Sequence, residues 1–275
     1  MCKVDKHDIG ECGPDAYYAG KGEERGGLTR RLRAAFASAA DTLADLLFPP
    51  RCPFCDRVVF RGEACAACRE DLPRTAGRSG FRAEADGFVC AAPLRYEGTV
   101  REAILRMKFH GRGDAAKPLG ALVAACAAQR YPAGFDAVTW VPVSRKRLRE
   151  RGFDQARLLA EGVCRYWRKQ RTDPLDALFP ERLIVKRRDN PAQSGLRDAS
   201  LRRANVSGVY AITPGAQIRR RRILLVDDVC TTGATLRECR ETLLQGGAES
   251  VVCAAVALTE ERRRKPTHEE RRRSG

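Results

Sequence analysis

Two stretches of this 275-residue sequence bring together residue types that can do chemistry. The first is Ile223-Leu-Leu-Val-Asp-Asp-Val-Cys-Thr-Thr-Gly-Ala-Thr235. Its apolar start reads as a buried strand, with Asp227 and Asp228 emerging where the strand ends. The bend that follows, Val229 to Thr235, opens a helix. At the C-terminal edge of a parallel sheet this is where ligands bind. Backbone N–H groups at the start of the helix point at any anion there. Thr231, Thr232 and Thr235 add hydroxyl donors, Gly233 admits a close backbone approach, and Val229, Cys230 and Ala234 complete the bend. Carboxylates accept hydrogen bonds and cannot donate them, so the acidic pair suits a sugar diol, with a phosphate held one sugar length away. The combination selects a ribose 5-phosphate. Mg²⁺, which prefers oxygen ligands, would offset the repulsion between acids and phosphate. Paired aspartates also hold Mg²⁺ in phosphoacceptor receiver domains, and Thr/Gly turns occur in many nucleotide folds. Neither a GxxxxGK[ST] loop nor a GxGxxG loop is present.

The second stretch is Cys52-Pro-Phe-Cys55 and Cys65-Ala-Ala-Cys68, two CxxC knuckles with nine residues between them. Each knuckle brings two thiolates to one point, and two knuckles complete a tetrahedral sulfur shell for Zn²⁺. A hairpin through Arg61-Gly62 would close the gap. Four thiolates leave no open position, so the expected role is structural. Free thiols, a redox pair or an iron–sulfur cluster are the alternatives.

Basic residues cluster near these stretches. Arg145 and Lys146, just after an expected strand, are placed to meet a diphosphate by charge and, for arginine, by bidentate geometry. Arg151, Gly152, Phe153 and Gln155 are expected to line the same pocket. A long polar segment containing Gln193, Arg203 and Asn205 lies between sheet strands and reads as a lid. The run Arg219 to Arg222 reads as a charged hairpin loop. The alternative for any such run is a solvated face.

These groups need a scaffold. Hydrophobic residues make up 43% of the chain, enough for a sizeable core. Lys and Arg number 51 against 35 Asp and Glu, a net charge of +16 that favours polyanionic partners. Mean hydropathy is −0.42 and no segment reaches bilayer-spanning length. The N-terminus lacks a secretory apolar run, so a cytoplasmic location is expected, where the 12 cysteines would be metal ligands or core thiols. Residues 1–28 read as a disordered arm. Residues 29–50 read as an amphipathic helix whose apolar face (Leu32, Phe36, Ala39, Leu43, Leu47) packs on a neighbouring domain, stopped by Pro49-Pro50. The cysteine module spans 51–73. From 87 to 260, strand-like runs (FVCAAPLRY, DAVTWVPV, RILLVDDV, ESVVCAAVAL) alternate with helix-like ones, the pattern of an α/β domain with a parallel sheet covered on both faces. A basic tail, 261–275, reads as disordered.

Val226-Asp-Asp-Val-Cys-Thr-Thr-Gly-Ala-Thr235 resembles the PRPP-binding signature of type I phosphoribosyltransferases. With the CxxC pairs upstream it resembles the ComF family, phosphoribosyltransferase-like proteins associated with DNA uptake in natural competence. Val141 to Gln155, Asn190-Pro-Ala-Gln-Ser-Gly-Leu196 with Arg203-Ala-Asn-Val206, Tyr96-Glu-Gly and Met107-Lys-Phe109 are similar to further blocks of that family. Ser144 and Asp154 depart from its usual proline and asparagine. The resemblance implies a type I phosphoribosyltransferase-like fold and a site that binds PRPP with Mg²⁺. There Asp227 and Asp228 grip the ribose, Thr231 to Thr235 the 5-phosphate, and Arg145 and Lys146 the diphosphate. One reading is an enzyme that transfers the phosphoribosyl group to an unidentified acceptor. The alternative is a non-catalytic adaptor that binds single-stranded DNA and works with the DNA-uptake machinery. A PRPP-sensing regulator is a third, without a DNA-reading helix to support it.

Overall fold

A computed structural model describes residues 27–59, 62–75, 81–83, 88–170, 178–187 and 208–259. The arm before residue 27, the basic tail and the lid segment carrying Gln193, Arg203 and Asn205 lie outside the described residues, as does Arg61. The strands are β1 (Phe81–Ala83), β2 (Val89–Ala91), β3 (Leu94–Arg95), β4 (Ala137–Trp140), β5 (Ile184–Lys186), β6 (Tyr210–Ile212), β7 (Arg222–Cys230) and β8 (Ser250–Leu258). The helices are α1 (Gly27–Leu47), α2 (Ala66–Asp71), α3 (Gly98–Phe109), α4 (Ala116–Arg130), α5 (Arg145–Arg151), α6 (Gln155–Gln170) and α7 (Ala234–Gln245).

The main sheet has the order β1-β2-β8-β7-β4, with β3 also paired to β8. β2, β3 and β7 run parallel to β8, and β4 runs parallel to β7; β1 alone is antiparallel. The apolar strands are continuous because both faces are covered, as a parallel sheet requires. Leu224 and Val226 join α3, α4 and α6 in one core. Ile223 and Leu225 join α7 and the β5–β6 hairpin in the other. Helices α4 and α6 meet glycine to glycine: a Cβ on Gly120 would lie 2.5 Å from the Leu159 carbonyl oxygen, and one on Gly162 2.8 Å from that of Lys117. Only glycine permits that approach, which seats α6 and the start of its first turn against the sheet.

Several elements differ from expectation. FVCAAPLRY is divided at Ala92-Pro93 into β2 and β3, because proline has no N–H to give a ladder. Strand β7 does not stop at Val226 but runs on to Cys230, since β8 pairs with it through Asp227↔Ala255 and Cys230↔Leu258. The acidic pair therefore sits on the strand and inherits its alternation. Helix α1 docks in the opposite sense to the one its sequence suggests. Asp41 and Asp45 face α6, where Arg165 and Arg168 reach Asp41 at 3.2 and 3.1 Å and Lys169 reaches Asp45 at 3.1 Å. Leu32, Phe36, Ala39, Leu43 and Leu47 are left exposed. Cationic residues on α6 hold the acidic stripe, and among the described residues nothing covers the apolar face. The arginine run is divided: Arg219 and Arg220 form an exposed turn, Arg220 at φ +57°, whereas Arg221 binds Glu181 at 2.6 Å and Arg222 binds Asp136 at 2.9 Å, tying β7 to the segments beside β5 and β4.

Candidate functional site

Strand β7 carries Asp227 and Asp228 to the C-terminal edge of the sheet. Alternation separates their surroundings. Asp228 points toward α3, where Lys108 Nζ donates to its Oδ1 at 2.8 Å; the two side chains are 18% and 14% exposed. Asp227 accepts the Asp228 amide at 2.8 Å. Burial, followed by the neighbouring Asp228 charge, pushes the Asp227 carboxyl well above its usual range, and Lys108 offsets only part of this. The pair is thus an acceptor site held in part against its own desolvation.

The bend after the strand is braced from inside. Gly233, the residue before α7, has φ +73°, and a Cβ there would lie 2.8 Å from the Phe88 ring. The Thr232 hydroxyl accepts the Ala234 amide at 3.4 Å, and Arg237, stacked 4.1 Å over Phe88, donates to the Thr232 carbonyl at 2.8 Å. Thr231 is exposed and Thr232 and Thr235 are half-buried. The Cys230 thiol is buried in the core and Val229 packs against the opposite core. Any ligand contact from these two residues would come from backbone.

The structure divides the basic cluster that the sequence groups into one pocket. Arg151 donates to Gln155 Oε1 at 2.8 Å and lies 4.9 Å over the Phe109 ring. Burial and then the Arg147 charge lower the Arg151 pKa, while Asp228 acts in the opposite direction. Arg151 and Gln155 therefore belong with Lys108 and the acidic pair. Arg145, Gly152 and Phe153 instead line a cavity of about 1020 Å³ whose wall includes neither aspartate nor the threonine bend. Gly152 ends α5 in a left-handed turn at φ +79°, a C-cap role rather than a close approach. Lys146 is exposed and lies 4.0 Å from Glu150. Lys108 is the site residue that sequence reasoning passed over. Its signal was Met107-Lys-Phe109, noted as a familiar block without a role.

The cysteine module converges as its spacing implies. The Sγ atoms of Cys52, Cys55, Cys65 and Cys68 lie within 4.8 Å of one another. Tetrahedral Zn–S bonds of ~2.3 Å require sulfurs roughly 3.8 Å apart, so the four thiols can close on Zn²⁺ with shifts of about 1 Å or less. Backbone N–H donation from Cys68 lowers the Cys65 pKa, whereas burial, first among its causes, raises that of Cys68, so the protons of the cluster are unevenly held. Gly62, at φ +83°, lies in the connection between the knuckles. The module is anchored to α3: Arg106 donates to the Phe54 carbonyl at 2.7 Å, and Cys52 and Phe54 share a core with Ile104 and Met107. Arg112, just beyond α3, binds Asp56 at 2.7 Å.

Comparison with known proteins agrees with both parts. The phosphoribosyl transferase domain family matches residues 175–273 and the double zinc ribbon domain family matches residues 43–79. Competence protein ComFC of Bacillus subtilis (strain 168) is 26% identical over 73% of this chain and 74% of its own length. Both domain matches and this competence relative support the resemblance to the ComF family. DNA utilization protein YhgH of Escherichia coli O157:H7 and Competence protein F of Haemophilus influenzae (strain ATCC 51907 / DSM 11121 / KW20 / Rd) are each 31% identical over 42% of this chain, a match spanning about half of each relative, 46% and 47%. Among solved structures, glutamine PRPP amidotransferase from B. subtilis, complexed with ADP and GMP, is 21% identical. It covers 55% of this chain and 30% of its own at a TM-score of 0.35, too low to carry an inference. In this chain the two departures from the ComF pattern are both helix caps. Ser144 Oγ accepts the Arg147 amide at 3.2 Å, and Asp154 accepts the Arg157 amide at 3.2 Å and the Trp140 indole N–H at 3.1 Å.

Proposed function

We propose that this protein binds PRPP or a related ribose 5-phosphate at the end of β7. The observation that carries the reading is the acidic pair at the C-terminal edge of a parallel sheet, followed at once by the braced threonine bend that opens α7. Asp227 and Asp228 accept the two ribose hydroxyls. The backbone and hydroxyls of Thr231 to Thr235 bind the 5-phosphate. Lys108, now on Asp228, and Arg151, which feels the Asp228 charge, are cations on the side of the acidic pair. They stabilise the diphosphate, whereas Arg145, at the first turn of α5, lines the separate cavity and Lys146 is exposed beside Glu150. The oxygen donors of the pair suit Mg²⁺, which would neutralise diphosphate charge when bound. Transfer of the phosphoribosyl group would need little acid–base help from the chain: its groups orient the sugar and balance the charge of departing pyrophosphate.

The relatives' names, competence protein and DNA utilization protein, support a role in DNA uptake, with its machinery as partner. They also favour the second reading, a single-stranded DNA adaptor without turnover, to which the +16 charge would contribute. The two are separated by assaying pyrophosphate release and PRPP retention side by side. The first reading predicts PRPP binding that weakens at least about 100-fold in Asp227→Asn/Asp228→Asn, since two charged acceptors are lost. Unchanged PRPP binding in that variant refutes the site. Binding without release, at every acceptor tried, leaves the adaptor.

A further inference from the structure

Beyond β4, the edge strand of the main sheet, lies the cavity of about 1020 Å³ bounded by α5, the first turns of α6 and the hairpin strand β5. Three features of its lining restrict what it can take. It has an apolar, partly aromatic side, to which Leu148, Phe153 and Trp140 contribute; Leu148 is 43% exposed, apolar surface left to water. It is cationic: five Lys and Arg side chains line it against two carboxylates. Both carboxylates are occupied. Glu161 pairs with Arg157 at 3.0 Å, and Asp154 is committed to Trp140 and the α6 cap. Arg182 and Arg187, beside and after β5, are exposed and make no ion pair among the described residues. The volume is at the top of the ~300–1,000 Å³ range of small-molecule pockets, enough for a ring, a sugar and a phosphate.

A flat apolar ring carrying an anion satisfies all three. We propose that this cavity is a second binding site, taking a nucleotide unit with its base against Leu148 and Phe153 and its phosphate against Arg182 and Arg187. Bases stack on aromatic side chains whatever their identity, and arginine forks match phosphate oxygens. A free nucleoside monophosphate and a nucleotide within a single strand present the same chemistry. The site goes beyond the ribose-phosphate reading, with which it shares helix α5, and does not require it.

The test is a titration of the full, zinc-loaded chain with AMP and, separately, with a short oligodeoxyadenylate. Tryptophan fluorescence reports, because Trp140, though largely buried, lines the cavity, whereas Trp167, in the same core, does not. Saturable quenching is expected. Arg182→Glu and Leu148→Glu, both at exposed positions, should each weaken it about tenfold or more by opposing the phosphate or disrupting the apolar wall. Asp227→Asn/Asp228→Asn should leave it unchanged. Tighter binding of AMP assigns the site to free nucleotides; tighter binding of the oligonucleotide assigns it to strands. No quenching by either ligand, indifference to both cavity variants, or loss in the acidic-pair variant would overturn the proposal.

Discussion

In the proposed site the acceptor at issue is Asp227, whose carboxyl is held above its usual range by burial and by Asp228. A ligand that uses it as an acceptor needs the carboxylate. Near and below the raised pKa, binding must therefore expel a proton, and affinity should rise with pH until that pKa is passed. Titrations of PRPP and Mg²⁺ in buffers of different ionisation heat should report proton release; proton uptake would contradict the assignment. Lys108 is the counter-charge that keeps the pair usable. Lys108→Met should drive the Asp227 pKa higher still and weaken PRPP binding by about 10- to 100-fold, the worth of one charged hydrogen bond. A pH profile shifted alkaline in this variant distinguishes lost charge from lost packing. The acidic pair and its bend were legible in the sequence because they are contiguous. Lys108 was not: it meets Asp228 across 120 residues of chain, and a single lysine after an apolar helix face carries no pattern.

Among the elements, α3 links the zinc module to the site. Its Arg106 holds the Phe54 carbonyl inside one knuckle, and two residues further on Lys108 reaches Asp228. A module this small folds largely on its metal. Chelating zinc should therefore release the Arg106 anchor, raise hydrogen exchange along α3, and weaken PRPP binding although no cysteine touches the site. Unchanged exchange in α3 would show the module to be independent. The same scale explains what the sequence hid. The four central strands and the helices between them were readable from long apolar runs and helical periodicity. β5 and β6 were not, because three-residue strands carry too little alternation to register. The outcome for α1 shows another limit: periodicity identified its apolar face, yet docking was decided by Arg165, Arg168 and Lys169 on a distant helix.

Across the whole molecule, charge is distributed by function. Arginines 221 and 222 are spent on joining the hairpin and β4 to the central strand. Others gather beside the acidic pair or line the second cavity, so a +16 chain is not uniformly basic toward a ligand. At the end of β7 the acidic pair lies beside Lys108, and that contrast is what would distinguish a sugar from its phosphates. The most direct test of this claim is a calorimetric comparison of ribose 5-phosphate with 2-deoxyribose 5-phosphate. The two share the ester group and differ by one hydroxyl. If the aspartates grip the diol, the deoxy sugar should bind about 10- to 100-fold more weakly, as expected for one hydrogen bond to a charged acceptor. Equal affinities would mean that only the phosphate is recognised and that the acidic pair serves another purpose.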